Sequence, residues 1–160
     1  MKNIVYKPIG LIHSPFNDIQ GMPIQTTGAS GIQGTIEIYP EYVDGLKDLE
    51  GFSHIILLYH FHRSTGFSLI VKPFLDDAQH GVFATRAPRR PNPIGFSVVK
   101  LIKAEGSILT IEGVDIIDST PLLDIKPYTH FDVKKIERIG WLDKKVDKAL
   151  HIKSDGRFGS

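Results

Sequence analysis

Three arginines lie close together in a proline-rich stretch near the middle of the chain. The stretch runs FATRAPRRPNPIGFS from Phe83 to Ser97 and carries guanidinium groups at Arg86, Arg89 and Arg90. Each proline fixes its own φ and pushes the preceding residue toward extended geometry, which excludes a helix here. A stiff backbone with guanidinium groups suits a fixed anionic ligand, because little conformational entropy is lost on binding. An exposed basic turn without a ligand is the alternative that the residues leave open.

Other segments carry titratable side chains at regular spacing. The apolar run FSHIILLYHFH places His54, His60 and His62 at one parity, so on a strand they would face one side. Three histidines on one face could bind zinc or contact another ligand. Further along, Asp124 and Lys126 would share a strand face, where an internal ion pair is the plain interpretation.

Composition limits the classes of protein to which the chain can belong. At 160 residues, with 41% hydrophobic and 23% charged residues, one globular domain is expected. No apolar run approaches the roughly 20 residues of a membrane span, and the amino end lacks a signal-peptide pattern. Without cysteine there are no disulfides, which fits a cytoplasmic location. Because the net charge is only +1, a nucleic-acid partner would need a local basic surface.

Short runs of alternating apolar residues predict a mostly β fold, a small barrel or sandwich with a few short helices. The predicted strands cover residues 4–14 at a sheet edge, 34–39, 52–62, 69–71, 81–85, a hairpin of 96–104 and 108–114, and a strand–turn–strand unit over 115–128. A short helix is predicted over 41–50. Apolar residues from Val133 to Leu150 recur at helical spacing, which predicts an amphipathic helix weakened by Gly140.

Glycine spacing argues against a doubly wound nucleotide-binding fold. Gly28, Gly31 and Gly34 are not followed by a helical pattern, as a glycine-rich cofactor turn would require. From the strand patterns and the helical spacing near the carboxyl end, we expect one β domain over 1–142, with a helical extension and tail over 143–160.

The stretch TRAPRRPNPIG resembles the signature of the TrmO/TsaA-like family. Further blocks resemble the same family, namely PIGLIHSPF from Pro8, GFSHI from Gly51 with the later Phe61-His62, and DIIDSTPLLDIKPY from Asp115 to Tyr128. The resemblance implies a small β-barrel that binds S-adenosylmethionine (SAM) and methylates tRNA. The implied substrate is the threonylcarbamoyladenosine beside the anticodon, methylated on the base nitrogen that carries the threonylcarbamoyl group.

The resemblance also implies roles for individual residues. The implied SAM contacts are Thr26, Thr27, Gly28, His62, Arg63, Arg86, Asn92, Ile94, Gly95, Asp115, Ile116, Ile117 and Asp118, with no metal ion. Lys72, Arg89 and Arg90 are expected to contact tRNA phosphates. Asp124, or Tyr128 aided by Lys126, is the expected general base. A homodimer, in which one subunit binds SAM and the other helps to hold tRNA, agrees with the resemblance.

Four departures from the family pattern bear on the substrate. Ile24 stands where relatives commonly have arginine, and Ser119 where they usually have glycine. Arg89 adds a charge at a variable position, and the segment 72–75 only loosely matches a proline-rich one. Two other function classes stay open on this basis: a SAM- or RNA-binding module without catalysis, and a SAM-dependent methyltransferase with a different acceptor.

Overall fold

The computed structural model describes residues 1–23, 26–143, 145 and 153, and for Thr26 and Thr27 it describes the backbone alone. The helical extension predicted over 143–160 therefore lies almost entirely outside the described residues. Ile24, one of the four departures from the family pattern, also lies outside the described residues.

Six antiparallel strands close into a barrel in the order β1-β2-β7-β6-β3-β8, with β8 pairing back to β1. The strands are β1 (Gly10–His13), β2 (Gln33–Ile38), β3 (His54–His60), β6 (Ile94–Glu105), β7 (Ile108–Glu112) and β8 (Thr120–Pro127). Two short strands, β4 (Ile70–Val71) and β5 (His80–Gly81), form a separate sheet. The predicted mostly β barrel is confirmed.

Alternation of side chains along each strand builds the barrel core. On β3, Ile55, Leu57 and Tyr59 are buried inside, while the residues between them are only half-buried on the outer face. The same inner layer includes Ile36 of β2 and Ile111 of β7, both with no exposed surface. The β3 strand was predicted from its short apolar run between Gly51 and Gly66, and β2 from the alternation of apolar and polar residues over 34–39.

The remaining regular structure within the described residues consists of short 3-10 helices. They span Thr26–Ala29, Pro40–Leu46, Leu49–Gly51, Val82–Ala84, His130–Asp132 and Gly140–Leu142. The short helix predicted over 41–50 is thus two 3-10 helices. They are separated at Asp48, whose φ of 65° is incompatible with a continuous helix.

Three strand predictions need correction. The first strand is not at an edge, since β1 pairs with β2 on one side and β8 on the other. Most of the strand predicted over 81–85 is the 3-10 helix Val82–Ala84, which buries Val82 and exposes its neighbour. Residues 115–119 form an irregular turn instead of a strand, because Ser119 adopts a left-handed φ of 62° that breaks an extended run.

The amphipathic helix predicted from Val133 is wrong over the described residues. Residues 133–139 have no regular secondary structure, and Val133 and Ile136 are 64% and 73% exposed. A left-handed φ of 61° at Gly140 prevents a helix from continuing through this point. The helical spacing of the apolar residues over 133–139 therefore does not reflect a buried helix face.

Candidate functional site

A pocket of about 870 Å³ lies where β3 ends and where β6 and β8 begin. Barrel residues form one side of it, and the segment around the 3-10 helix Val82–Ala84 forms another. Trp141 and Leu142 of the carboxyl-terminal segment complete the lining, together with Ile19, Met22 and Pro23 of the loop after β1. The volume lies in the range of small-molecule sites.

Many of the residues predicted to contact a ligand line this single pocket. They are His62, Arg63, Arg86, Asn92, Ile94, Gly95, Asp115, Ile116 and Ile117, and Arg90, which was predicted to contact tRNA phosphates, lines the same pocket. These residues come from three separate stretches of sequence, which the barrel brings together. Asp115 is the one carboxylate among the described residues of the lining, against three arginines, so the pocket favours an anionic ligand group.

Other predicted site residues lie outside the pocket lining. Lys72 pairs with Asp77 at 3.1 Å, and Arg89 is half-buried with its guanidinium group near Gly66. The backbone of residues 26–28 forms a 3-10 helix next to the pocket loop, and Gly28 is half-buried. The other predicted site residues outside the pocket lining are Asp118, Asp124, Lys126 and Tyr128.

A buried chain of hydroxyl groups leads from the barrel core to the carboxylate of the pocket. The Tyr59 hydroxyl lies 3.0 Å from Ser97 Oγ, which donates to Asp115 Oδ1 at 2.8 Å. Because the single proton of Ser97 goes to Asp115, the Tyr59 hydroxyl donates to Ser97. Burial and the nearby Asp115 raise the pKa of Tyr59 well above its ordinary value, so the phenol keeps its proton. The chain therefore orients the Asp115 carboxylate.

Gly95 allows the ring of Tyr59 to pack flat against β6. The two residues are paired across β3 and β6, and a Cβ at Gly95 would overlap the Tyr59 ring. Tyr59 is only 5% exposed and has no free space on this side. The glycine of the sequence motif is therefore required by the packing of the pocket floor.

Arg86 and Arg90 have different environments in the same loop. Arg86 is exposed in the pocket, with its guanidinium group 5.8 Å from the centre of the Phe96 ring. Nη1 of Arg90 donates to the carbonyl oxygens of Thr85 at 3.2 Å and Ala87 at 3.3 Å. Since these carbonyls flank Arg86 in sequence, Arg90 fixes the backbone that carries Arg86.

We predict that Arg90→Lys weakens the binding of SAM or its product about tenfold while the fold is retained. Both hydrogen bonds come from Nη1, which the rigid guanidinium plane holds in place, whereas a lysine ammonium group ends a flexible four-carbon stem and leaves the loop around Arg86 less fixed. Calorimetric titration with S-adenosylhomocysteine measures the affinity. Arg89→Lys is the matched control, because Arg89 does not line the pocket. Equal affinities of the Arg90→Lys and wild-type proteins would contradict this positioning role.

His62 presents a neutral imidazole to the pocket. Burial, Arg63 and His60 lower the pKa of His62 below its ordinary value. Its Nδ1 lies 3.3 Å from Thr120 Oγ1, which itself donates to the carbonyl oxygen of Ile117 at 2.7 Å. We therefore assign the proton of the neutral ring to Nδ1, which leaves Nε2 as a hydrogen-bond acceptor.

Asp118 is engaged in the turn that precedes β8. Its Oδ1 accepts from the Ser14 amide at 3.0 Å, and its Oδ2 accepts from Ser119 Oγ at 2.9 Å. Burial raises the pKa of Asp118, but these hydrogen bonds and His13 outweigh it and lower the pKa overall. The left-handed φ of 62° at Ser119 explains why glycine suits this position. The Asp-initiated turn is thus present, and it orients residues 115–117 along the pocket.

Asp124 and Lys126 lie on the outer face of the barrel, where they form an ion pair of 2.7 Å. Asp124 is paired with Leu58 of β3, and Leu58 is paired on its other side with Phe96 of β6. Phe96 also lines the pocket. Because adjacent strands lie about 4.8 Å apart, the backbones of Asp124 and Phe96 are about 10 Å apart along this outer row.

Sequence patterns did not indicate the contribution of Trp141. Its Nε1 donates to the carbonyl oxygen of Ala84 at 2.8 Å, and its ring stacks on His80 at a centroid distance of 4.5 Å. Lys145 Nζ and His80 Nε2 both contact the Asp76 carboxylate, at 2.5 and 2.9 Å. The carboxyl-terminal segment is thereby attached to the wall of the pocket. The one available signal was that the chain has a single tryptophan.

Within the described ranges, no cluster of three or more histidine and acidic side chains is arranged to hold a metal ion. His54 and His60 belong to the outer face of β3, and the ring of His54 lies edge-on to Tyr128 at 6.4 Å.

None of the helices among the described residues has the length and apolarity needed to cross a membrane.

Relatives of known name share most of this chain. A probable S-adenosyl-L-methionine-binding protein of Pyrococcus abyssi is 58% identical over 98% of this chain and 86% of its own length. The tRNA (adenine(37)-N6)-methyltransferase of Mus musculus is 41% identical over 79% of this chain, which spans only 31% of the mouse protein.

Solved structures agree with the barrel. The crystal structure of TrmO from Pseudomonas aeruginosa matches with a TM-score of 0.73 at 38% identity, covering 88% of this chain and 63% of that one. Another TrmO crystal structure gives a TM-score of 0.74 at 41% identity, covering 87% of this chain and 64% of that one. The family model of the tRNA-methyltransferase O N-terminal domain matches residues 11–133. The chain belongs to this family.

Proposed function

We propose that the chain binds SAM in the pocket and transfers its methyl group to the base nitrogen of tRNA threonylcarbamoyladenosine beside the anticodon. The observation that carries the proposal is the convergence of Arg86, Asp115 and the residues 94–95 and 115–117 in one pocket of suitable volume. Its members have the chemistry that SAM requires, and relatives over the same region are named as SAM-binding proteins and tRNA methyltransferases.

The donor groups of the pocket fit the two polar ends of SAM. The exposed guanidinium of Arg86 suits the methionine carboxylate through paired charge-assisted hydrogen bonds. Asp115, oriented by Ser97, is suited to accept hydrogen bonds from ribose hydroxyls or an amino group. The sulfonium is already activated, so these residues mainly need to hold it in line with the acceptor nitrogen.

Transfer forms a bond between the acceptor nitrogen and the methyl carbon and breaks the bond between sulfur and that carbon. The nitrogen also loses one proton, which a general base accepts. We assign this role to Asp124, which pairs with Lys126 at 2.7 Å, and Tyr128 aided by Lys126 is the alternative base. Its outer-face row with Leu58 and Phe96 supports the assignment, because Phe96 lines the pocket that would hold the methyl donor.

A homodimer would supply the surface that an anticodon arm needs. The outer face of β6 carries apolar side chains, including Phe96 and Ile102, which are 46% and 42% exposed. We propose that a second copy covers part of this face and that Lys72 and Arg89 contact tRNA phosphates. The expected cytoplasmic location stays a prediction.

The test is incubation of the protein with methyl-labelled SAM and two tRNA preparations, with and without the threonylcarbamoyl group. We expect label only in the modified tRNA, and mass analysis of the digested RNA should find one added methyl on that nucleoside. The Arg86→Ala protein is the negative control. SAM binding without transfer to either tRNA would indicate a non-catalytic module. Transfer that ignores the threonylcarbamoyl group would indicate a different acceptor.

A further inference from the structure

Phe83 is an apolar side chain that lines the pocket yet is 76% exposed. Aromatic rings of this size usually bury most of their surface, since their burial stabilises the folded state by several kcal/mol. The other aromatic side chains of the lining are better covered. Tyr59 is 5% exposed, Phe96 is 46% exposed, and Trp141 stacks on His80. Phe83 therefore offers a free aromatic face at the mouth of the pocket.

The backbone on both sides of Phe83 is firmly held. Val82 is 1% exposed, its amide donates to the Leu69 carbonyl at 2.9 Å, and its own carbonyl accepts from Thr85 Oγ1 at 2.8 Å. On the other side, the Ala84 carbonyl accepts the indole hydrogen bond of Trp141 at 2.8 Å. The exposed ring is thus presented from a fixed backbone, so ordering it around a ligand costs little entropy.

Charge around the ring favours a nucleic acid over an apolar ligand. Arg63 is exposed and lines the same pocket, where Asp115 is the single carboxylate in the described lining, while Arg86 is assigned to the methionine carboxylate of the methyl donor. Arginine side chains beside an exposed aromatic ring form the combination that binds single-stranded nucleic acid, with bases on the ring and phosphates on the cations. A base inside an intact stack would not reach a ring at this position.

We propose that Phe83 is the stacking platform for the acceptor base, which leaves the anticodon loop and lies on the ring while its nitrogen faces the pocket. This inference rests on the proposed function, because it places the acceptor beside the bound methyl donor. The ring contributes affinity for any base with a π face, so it positions the acceptor without selecting it.

The test measures the affinity of an anticodon stem-loop for the protein saturated with S-adenosylhomocysteine, which cannot donate a methyl group. Phe83→Ala and Phe83→Leu should each weaken stem-loop binding about 5- to 150-fold, the range for loss of one base stack. Phe83→Trp should bind at least as well as wild type, because the indole keeps a π face. The affinity for S-adenosylhomocysteine itself should fall much less than the stem-loop affinity in Phe83→Ala and Phe83→Leu.

Phe131→Ala is the matched control, because Phe131 is 73% exposed, lies in a 3-10 helix and does not line the pocket. It should bind the stem-loop as wild type does. The proposal is overturned if Phe83→Leu binds as well as wild type, if S-adenosylhomocysteine affinity falls equally, or if the free protein changes its oligomeric state. The first outcome excludes base stacking on Phe83. The second would mean that the ring contacts the methyl donor, and the third would mean that it lies in a protein interface. Failure of the proposed function is seen separately, as wild-type stem-loop binding without methyl transfer.

Discussion

Arg86→Ala is expected to weaken the binding of SAM about 10- to 150-fold and to lower methyl transfer at limiting SAM by the same factor. The range corresponds to the loss of a hydrogen-bonded charged partner, worth about 1.5–3 kcal/mol. Arg86 is exposed and its ring contact is with Phe96, which is itself 46% exposed, so the melting temperature should stay close to that of wild type. Isothermal titration with SAM and a thermal melt measure the two quantities.

Two further variants decide what Arg86 contributes. Arg86→Lys should recover part of the affinity, because it restores the charge but not the paired donors. Arg89→Ala, which removes the same charge three residues later and outside the lining, should leave SAM binding unchanged. If the Arg86 and Arg89 variants lost equal affinity, the effect would be the general positive charge of the loop, and the specific contact would be refuted.

Gly95→Ala is expected to destabilise the fold by about 3 kcal/mol, at the upper end of ordinary overpacking costs. The added methyl would overlap the ring of Tyr59, which is buried and held by its hydrogen bond to Ser97. The same displacement disturbs Asp115, so SAM affinity should fall as well. Urea unfolding measures the stability, and Gly81→Ala is the control, because a Cβ at Gly81 meets nothing within 4 Å.

A second substitution locates the cause of this loss. In a Tyr59→Leu background the ring is absent, so adding Gly95→Ala should cost much less than it does in the wild-type protein. The difference between the two costs is the coupling energy between the sites, and contacting residues typically couple by 0.5–3 kcal/mol. Additive losses would mean that the methyl group clashes with something other than the ring.

The strands were predictable because the apolar runs and alternating residues that indicate them are local properties of the sequence. Ile55, Leu57 and Tyr59 all point inward because side chains two residues apart on a strand lie on the same face of the sheet. Closure of the six strands was not readable from that pattern, since it depends on pairings between distant segments such as β1 with β8. The family resemblance supplied the barrel, and the structure confirmed it.

Residues that line the pocket were predictable as a group, but their individual environments were not. Arg86 and Arg90 look alike in the string TRAPRRP, yet one guanidinium faces the pocket and the other binds the carbonyls of its own loop. Sequence cannot separate them, because the difference lies in the fold of a turn without periodicity. The helical spacing after Val133 misled for a related reason: spacing alone does not provide a surface against which a helix can pack.

The attachment of Trp141 to Ala84 has a practical consequence for spectroscopy. Because the chain contains one tryptophan, all indole emission comes from a single ring, and that ring is part of the pocket wall. Any ligand that enters the pocket changes the polarity around this fluorophore or its quenching by the stacked His80. The wild-type protein therefore carries an intrinsic optical probe of occupancy, and ligand titrations can be followed without attaching a dye.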